Sequence, residues 1–294
     1  MPVRASMVGA ELGTREFEAT PRRLLAYAAA LGVTGGSTFD DASAAFAALP
    51  QFCVVAEWPW ASDLARLSEL GLDAGEAARA LHLGQDSTFH RPIRPGARLR
   101  VGGRLEEVRA VRSGALTVSG IEITDATTGE RLVSSRSTAL FQGVGIEGEP
   151  RALDVRPGEA PVPWLASEAL IEEESLSIAR GLGHVYTECA GIWNPIHTER
   201  RVALAMGLPD IVLHGTATWA IAGRELVQRY GAGDHGRLRR LAGAFRAMVV
   251  PGTTIRIRHC QPAGSEGATT VRFAVLNAAG ETAIADGLAE FAAA

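Results

Sequence analysis

The sequence repeats itself at about half its length. Tyr27–Gly32 (YAAALG) matches Tyr186–Gly191 (YTECAG) at an offset of 159, and Ile93–Val101 matches Val249–Ile257 through a shared Pro-Gly at an offset of 156. Thr128–Glu130 ahead of Phe141 matches Ala279–Glu281 ahead of Phe291, at offsets of 151 and 150. Three matches in the same order within 294 residues indicate one module, duplicated. Gly148–Pro163 (GEPRALDVRPGEAPVP) is rich in Pro and Gly and reads as a linker, which sets the modules at 1–147 and 164–294.

Each copy places a helix early and strands late. Thr20-Pro21 is a helix start, with a hydroxyl to cap and a proline at the first helical position. Arg98–Val101, Thr254–Arg258 and Val271–Val275 alternate apolar with polar or small residues, the period of a half-buried strand. In Leu116–Ile123 that parity changes at Gly120, which predicts a β-bulge there. Pro95-Gly96, Thr128-Gly129, Pro251-Gly252 and Ala279-Gly280 are expected to be hairpin turns. His214–Tyr230 reads as a helix, small and apolar in its first half, with Glu225 and Arg229 as an i,i+4 pair. One central helix wrapped by an antiparallel sheet, made twice, is an α+β architecture.

Composition narrows the function. Hydrophobic residues are 47% and charged residues 21%, the balance of a globular chain, and no apolar run is long enough to span a membrane. The net charge of −4 disfavours a nucleic-acid partner, which needs a concentrated basic face. All 29 basic residues are arginine, so lysine Schiff-base chemistry and a Walker lysine are excluded. Cys53, Cys189 and Cys260 have no CxxC spacing, which argues for a reducing, cytoplasmic setting without a zinc cage.

Most motifs carry a bland reading. Gly143–Gly148 satisfies GxGxxG, but Pro150 and Pro157 follow where a phosphate-binding helix should open. No two histidines have metal-ligand spacing, and no metal is expected. His82 and His90 flank a polar stretch expected to turn, His184 precedes the helix at Tyr186, His235 lies in a Gly-rich loop and His259 ends a strand. The segment Tyr186–Gly215 is different. Asn194-Pro195 must leave the helical region, so the helix through Gly191 ends and His197 is presented from a loop. Gly215 follows His214 at the start of the small-residue helix, where an unencumbered amide suits a developing oxyanion. A histidine base near such an amide suits proton chemistry beside a carbonyl, although an ordinary turn and helix cap would read the same.

Ala190–His197 (AGIWNPIH), with Leu213-His214-Gly215 downstream, resembles the signature of the MaoC-like dehydratases, the (R)-specific enoyl-CoA hydratases. The duplicated form of that family is a double hotdog whose N-terminal copy has lost the motif and helps to bind the acyl chain. Here Tyr27–Gly32 runs on into Val33-Thr34-Gly35-Gly36 with no NPxH, and Leu49–Glu57 (LPQFCVVAE) looks like the N-terminal half of such two-module hydratases. The resemblance implies a 2-enoyl or 3-hydroxyacyl thioester substrate, with coenzyme A present only as part of it and no separate cofactor. It also implies His197 as base, Gly215 N–H as oxyanion donor and Asn194 as a shaper of the site. Ile192, Trp193 and His214 are expected against the substrate, and Arg246 against a coenzyme A phosphate. Because one chain carries both modules, a homodimer and a partner subunit both remain open.

Ile192 stands where the family carries a catalytic aspartate. Losing one member of an acid–base pair costs about 10²–10⁴ in rate. Three readings follow: Glu188, one turn earlier, substitutes; His197 works alone on a dehydration or isomerisation; or the module only binds an acyl thioester or supports a partner dehydratase.

Overall fold

The computed structural model describes residues 2–154, 172–264 and 268–293. The principal elements among the described residues are ten strands and five helices. The strands are β1 (Glu11–Ala19), β2 (Ala80–Phe89), β3 (Ala97–Val111), β4 (Gly114–Asp125), β5 (Arg131–Gln142), β6 (Glu172–Ser177), β7 (Leu238–Phe245), β8 (Thr254–His259), β9 (Thr269–Leu276) and β10 (Thr282–Phe291). The helices are α1 (Pro21–Ala30), α2 (Cys53–Ala61), α3 (Leu182–Ala190), α4 (Arg200–Ala205) and α5 (Gly215–Tyr230).

The chain forms two compact units. One holds the residues up to Glu18, Ala56–Arg91 and the hairpins from Arg98 onward; the other holds Ala19–Val55, Pro92–Ala97 and the C-terminal half. The duplication is visible in their strand orders, β1–β3–β4–β5–β2 in the first and β6–β8–β9–β10–β7 in the second. First, third, fourth, fifth, second is one topology built twice. The packing units do not coincide with the halves 1–147 and 164–294, because α1 buries Leu24, Tyr27 and Ala28 and lies against α3 in the second unit. Tyr27 and Tyr186, equivalent in the repeat, are ring neighbours 5.9 Å apart.

Local chemistry explains the elements. Thr20 caps α1 by accepting from Arg23 N, and Pro21 occupies the first turn, where its missing N–H costs nothing. In α5 ten residues are buried, among them Ala217, Ala220, Ala222 and Gly223, so the sheet closes on the backbone itself. A Cβ on Gly223 would lie 2.5 Å from Leu241 Cδ2 and 2.7 Å from Gln51 Nε2. Helix α2 is nine residues long and carries Pro59 inside it.

Several expectations change. The bulge is on β3, not at Gly120: Leu105 pairs with Ser119 and Glu107 with Val118, which leaves Glu106 as the extra residue. Gly120 instead leaves space for the Glu106 carboxylate, 2.3 Å from where its Cβ would sit, while Glu106 holds Arg136 at 2.9 Å and Arg104 at 3.4 Å. Thr128-Gly129 and Ala279-Gly280 do join paired strands; Pro95-Gly96 and Pro251-Gly252 turn the chain into β3 and β8 without making hairpins. The polar stretch between His82 and His90 is strand β2, not a turn. It is polar because Gln85 and Ser87 face a buried network: Gln85 Nε2 donates to Glu57 at 3.0 Å, and the Ser135 hydroxyl donates to Glu57 at 2.6 Å. Glu225 takes the adjacent Arg224 as an ion-pair partner. Arg151-Ala152, within the expected linker, pairs with β3, and 155–163 lie outside the described residues.

Gly223→Ala therefore tests the close packing of α5. Alanine gains about 1 kcal/mol in helix propensity, but overpacking costs about 1–3 kcal/mol, and Leu241 and Gln51, which would have to shift, are both fully buried. The urea midpoint should fall with an unchanged slope; a midpoint equal to or above wild type would contradict this packing.

Candidate active site

The site is assembled from the C-terminal end of α3, the turn after it and the N-terminus of α5. Helix α3 ends at Gly191, whose φ of 65° turns the chain out of the helix at little cost for glycine. Asn194, just before proline, is extended (φ −148°, ψ 128°), and its side chain accepts from Ile196 N at 3.3 Å, capping a single 3-10 turn, Pro195–His197. Gly183 lets that turn close on α3, since a Cβ there would lie 2.6 Å from the His197 carbonyl. Val212 N donates to Ile196 O at 3.2 Å, so the approach to α5 is pinned to the same turn.

The histidine tautomers follow from their partners. A carbonyl only accepts, so His197 Nδ1–H donates to Val212 O at 2.7 Å and the lone pair lies on Nε2. Likewise His214 Nε2–H donates to Ile192 O at 3.0 Å, with the Thr187 hydroxyl at 3.3 Å from the same nitrogen. The two rings stack, centroids 3.6 Å apart and planes inclined by 27°. Burial lowers the pKa of His197, against a smaller raising by the Val212 carbonyl. His214 is pushed down to about 3, first by burial and then by the charge of His197, with the Ile192 carbonyl opposing. Both rings are neutral near pH 7, and Nε2 of His197 is a free base.

The N-terminus of α5 supplies the complementary donor. The first helix amide bonded to a backbone carbonyl is Ala217 N, to His214 O, and His214 offers no side-chain cap. That leaves the Gly215 and Thr216 amides at the positive end of a 16-residue helix. The Phe245 ring fixes Gly215, where a Cβ would sit 2.7 Å from Phe245 Cδ2. Tyr186, buried beside His214 with ring centroids 4.9 Å apart, donates to Thr216 Oγ1 at 3.2 Å.

His197, His214, Gly215 and the Ile192 main chain thus come together. Asn194 serves the turn through its side chain. Ile192 is 6% exposed, so its side chain packs inward. Trp193 departs from expectation: it is 59% exposed, because the extended stretch after Gly191 turns alternate side chains outward. Arg246 is exposed at the end of β7, 4.0 Å from Asp286. Glu188 is exposed and does not share a face with Ile192, since the helix ends between them. His184 lies within α3, and its Nε2–H donates to the Thr198 carbonyl at 2.9 Å. Thr187, Val212 and Phe245 are site residues that sequence reasoning missed. Among the described residues no group of three or more His, Cys, Asp or Glu is gathered to hold a metal, and no helix is long and apolar enough to cross a membrane.

Comparison with known proteins bears on both halves. The fold is the double hotdog: a MaoC-like dehydratase from Phytophthora capsici superposes with a TM-score of 0.80, covering 97% of this chain and 96% of that one at 20% identity. Residues 168–282 match the MaoC like domain, and residues 6–134 match the FAS1-like, dehydratase domain region. The C-terminal half therefore carries a MaoC-like dehydratase domain and the N-terminal half a FAS1-like dehydratase region. It is 26% identical to 3-hydroxyacyl-thioester dehydratase Y of Mycobacterium tuberculosis over 266 residues, 87% of this chain and 86% of that protein. It is 29% identical over 171 residues to the peroxisomal hydratase-dehydrogenase-epimerase of Neurospora crassa, matching 56% of this chain but only 18% of that longer protein.

A buried neutral histidine makes stability depend on pH. His214 has a folded pKa near 3, below its ordinary 6.5, so between those values the unfolded chain binds more protons. Its stabilising contribution is complete above pH 6.5 and is lost as pH falls toward 3. The unfolding midpoint should drop as pH is lowered from 7 to 4, less steeply in His214→Gln; equal slopes in the two proteins would contradict the burial of this ring.

Proposed function

We propose that the chain is a hydro-lyase that interconverts 3-hydroxyacyl and 2-enoyl thioesters, with His197 as the one proton-transfer group. The observation that carries this is the His197 Nδ1–H bond to Val212 O, which leaves the Nε2 lone pair unused on a ring stacked on His214, the residue that precedes the first amides of α5. In dehydration, Nε2 takes the C2 proton, and the electron pair of the broken C–H bond moves toward the thioester carbonyl. The Gly215 N–H receives the resulting enolate oxygen at the helix N-terminus. The enolate then expels the C3 hydroxyl, and imidazolium returns the proton to it as water. Net proton demand is zero, so a single base suffices on one face of the substrate. Hydration is the reverse.

This answers the absence of the family aspartate. Burial and the Val212 carbonyl are the influences on the His197 pKa, and no carboxylate is among them. A lone neutral histidine in a dry site is a competent base near neutral pH. Coenzyme A enters as part of the substrate, and Arg246, exposed at the end of β7, is available to its phosphates. The N-terminal module, whose α2 is short and carries no NPxH motif, is assigned to the acyl chain. Three free thiols support a reducing compartment such as the cytoplasm.

A second reading, a thioester-binding or partner subunit without turnover, is favoured by one observation: Ile192 buries an apolar side chain where the family has a proton-transfer group. Turnover of a panel of enoyl-CoA thioesters, followed by loss of the conjugated absorbance, separates the two. Wild type should hydrate at least one, and His197→Ala should lose about 10²–10⁴ in kcat. Wild type that binds without turnover, at an affinity unchanged by His197→Ala, would establish the binding subunit. Activity that appears only in Ile192→Asp would show a site intact in shape but no longer used for hydration.

A further inference from the structure

His214 breaks several local rules at once. It occupies the N-cap of α5, a position that favours Ser, Thr, Asp or Asn, and yet makes no side-chain cap. Its ring is buried, and its Nδ1 has no hydrogen-bond partner, a cost of about 1–3 kcal/mol for a buried polar atom. Such a combination persists where a site needs the residue for something else. What the ring does is visible: one edge holds the Ile192 carbonyl, and one face carries the His197 imidazole.

We propose that His214 is a positioning residue for the reaction: its ring is the platform on which His197 lies, and its Nε2–H ties the Ile192 carbonyl to the residue that opens the oxyanion helix. The inference rests on the catalytic reading above and adds to it a reason why the aspartate can be absent. Position 192 contributes its main chain to this site, and the main chain is the same whichever side chain it carries. Isoleucine then seals the site where the aspartate would have brought a charge.

The surroundings leave the platform to act alone. On α3, Tyr186 faces the pair with its phenol engaged by Thr216, His184 is set against the Thr198 carbonyl, Glu188 is exposed, and Cys189 is half-buried. From the following segment, Glu199 and Arg201 are exposed, and Asp210 is held by Arg200 at 3.2 Å and Arg180 at 3.9 Å. On α5, Arg224 and Glu225 pair with each other more than two turns further along. Arg246, after β7, lies near Asp286, and Tyr27 on α1 donates to the Gln51 carbonyl. No carboxylate among the described residues bonds either imidazole, so an imidazolium at His197 would face a neutral ring with no compensating charge.

The test uses the full chain without substrate and follows the imidazole signals by nitrogen-correlated NMR as pH is lowered. In wild type, His197 should be the Nδ1–H tautomer and His214 the Nε2–H tautomer, with His197 titrating below 6.5. The opposite tautomer at either ring overturns the proposal, with no variant needed. In His214→Gln, which keeps a donor for Ile192 but loses the flat ring, the His197 titration should move up toward 6.5. In His214→Phe, which keeps the ring but loses the donor, it should stay low while kcat falls roughly 10- to 100-fold with KM little changed, as expected for a misplaced base. A His197 titration unaltered in His214→Gln would overturn the platform role. Correct tautomers and titrations in a chain that turns over no thioester would uphold the pairing and reject only the catalytic reading.

Discussion

The burial of α5 is the constraint on which the rest depends. Its small residues let the strands approach the helix backbone closely enough that even a methyl at Gly223 would meet Leu241. A helix held this tightly has a fixed N-terminus, and the Phe245 ring leaves Gly215 no freedom to move. In the proposed role of oxyanion donor, the Gly215 amide must be in place before the charge forms, because reorganisation during the reaction would cost the stabilisation it provides. Close packing and electrostatic preorganisation are here the same fact.

Around that fixed point the site is organised by main-chain carbonyls. Val212 O selects the tautomer of His197, and Ile192 O selects that of His214. Neither uses a side chain, and neither adds a formal charge. A site without carboxylates keeps its histidines neutral chiefly by burial, which suits a base that must be unprotonated at rest. On the proposed function, in which one group both takes and returns the proton, the chemistry does not require the aspartate.

Much of this was legible in the sequence, for identifiable reasons. The Thr128-Gly129 and Ala279-Gly280 turns, the Thr20-Pro21 start and the small-residue run after Gly215 are local signals with local causes, and they appear as read. The bulge was misplaced because a change of parity shows that two strands slip, not which of them carries the extra residue; it is Glu106 on β3. Gln85 and Ser87 looked like a turn because polar residues in an inward-facing strand need partners such as Glu57 and Ser135, far away in sequence. His197 and Gly215 stood out by motif. Val212 and Ile192 act through carbonyls that every residue possesses, so no pattern of side chains could reveal them. Phe245 seals Gly215 from a strand 30 residues downstream, beyond any local period.

The central claim is that a single neutral histidine, facing an oxyanion helix, moves the C2 proton of a thioester. The most direct measurement is deuterium incorporation at C2 of 3-hydroxyacyl-CoA substrates incubated with the protein in heavy water, read by mass spectrometry in recovered substrate and product. Wild type should incorporate deuterium, Ile192→Val should match it, and His197→Ala should not exceed the uncatalysed rate. Incorporation by His197→Ala equal to that of wild type would contradict the account.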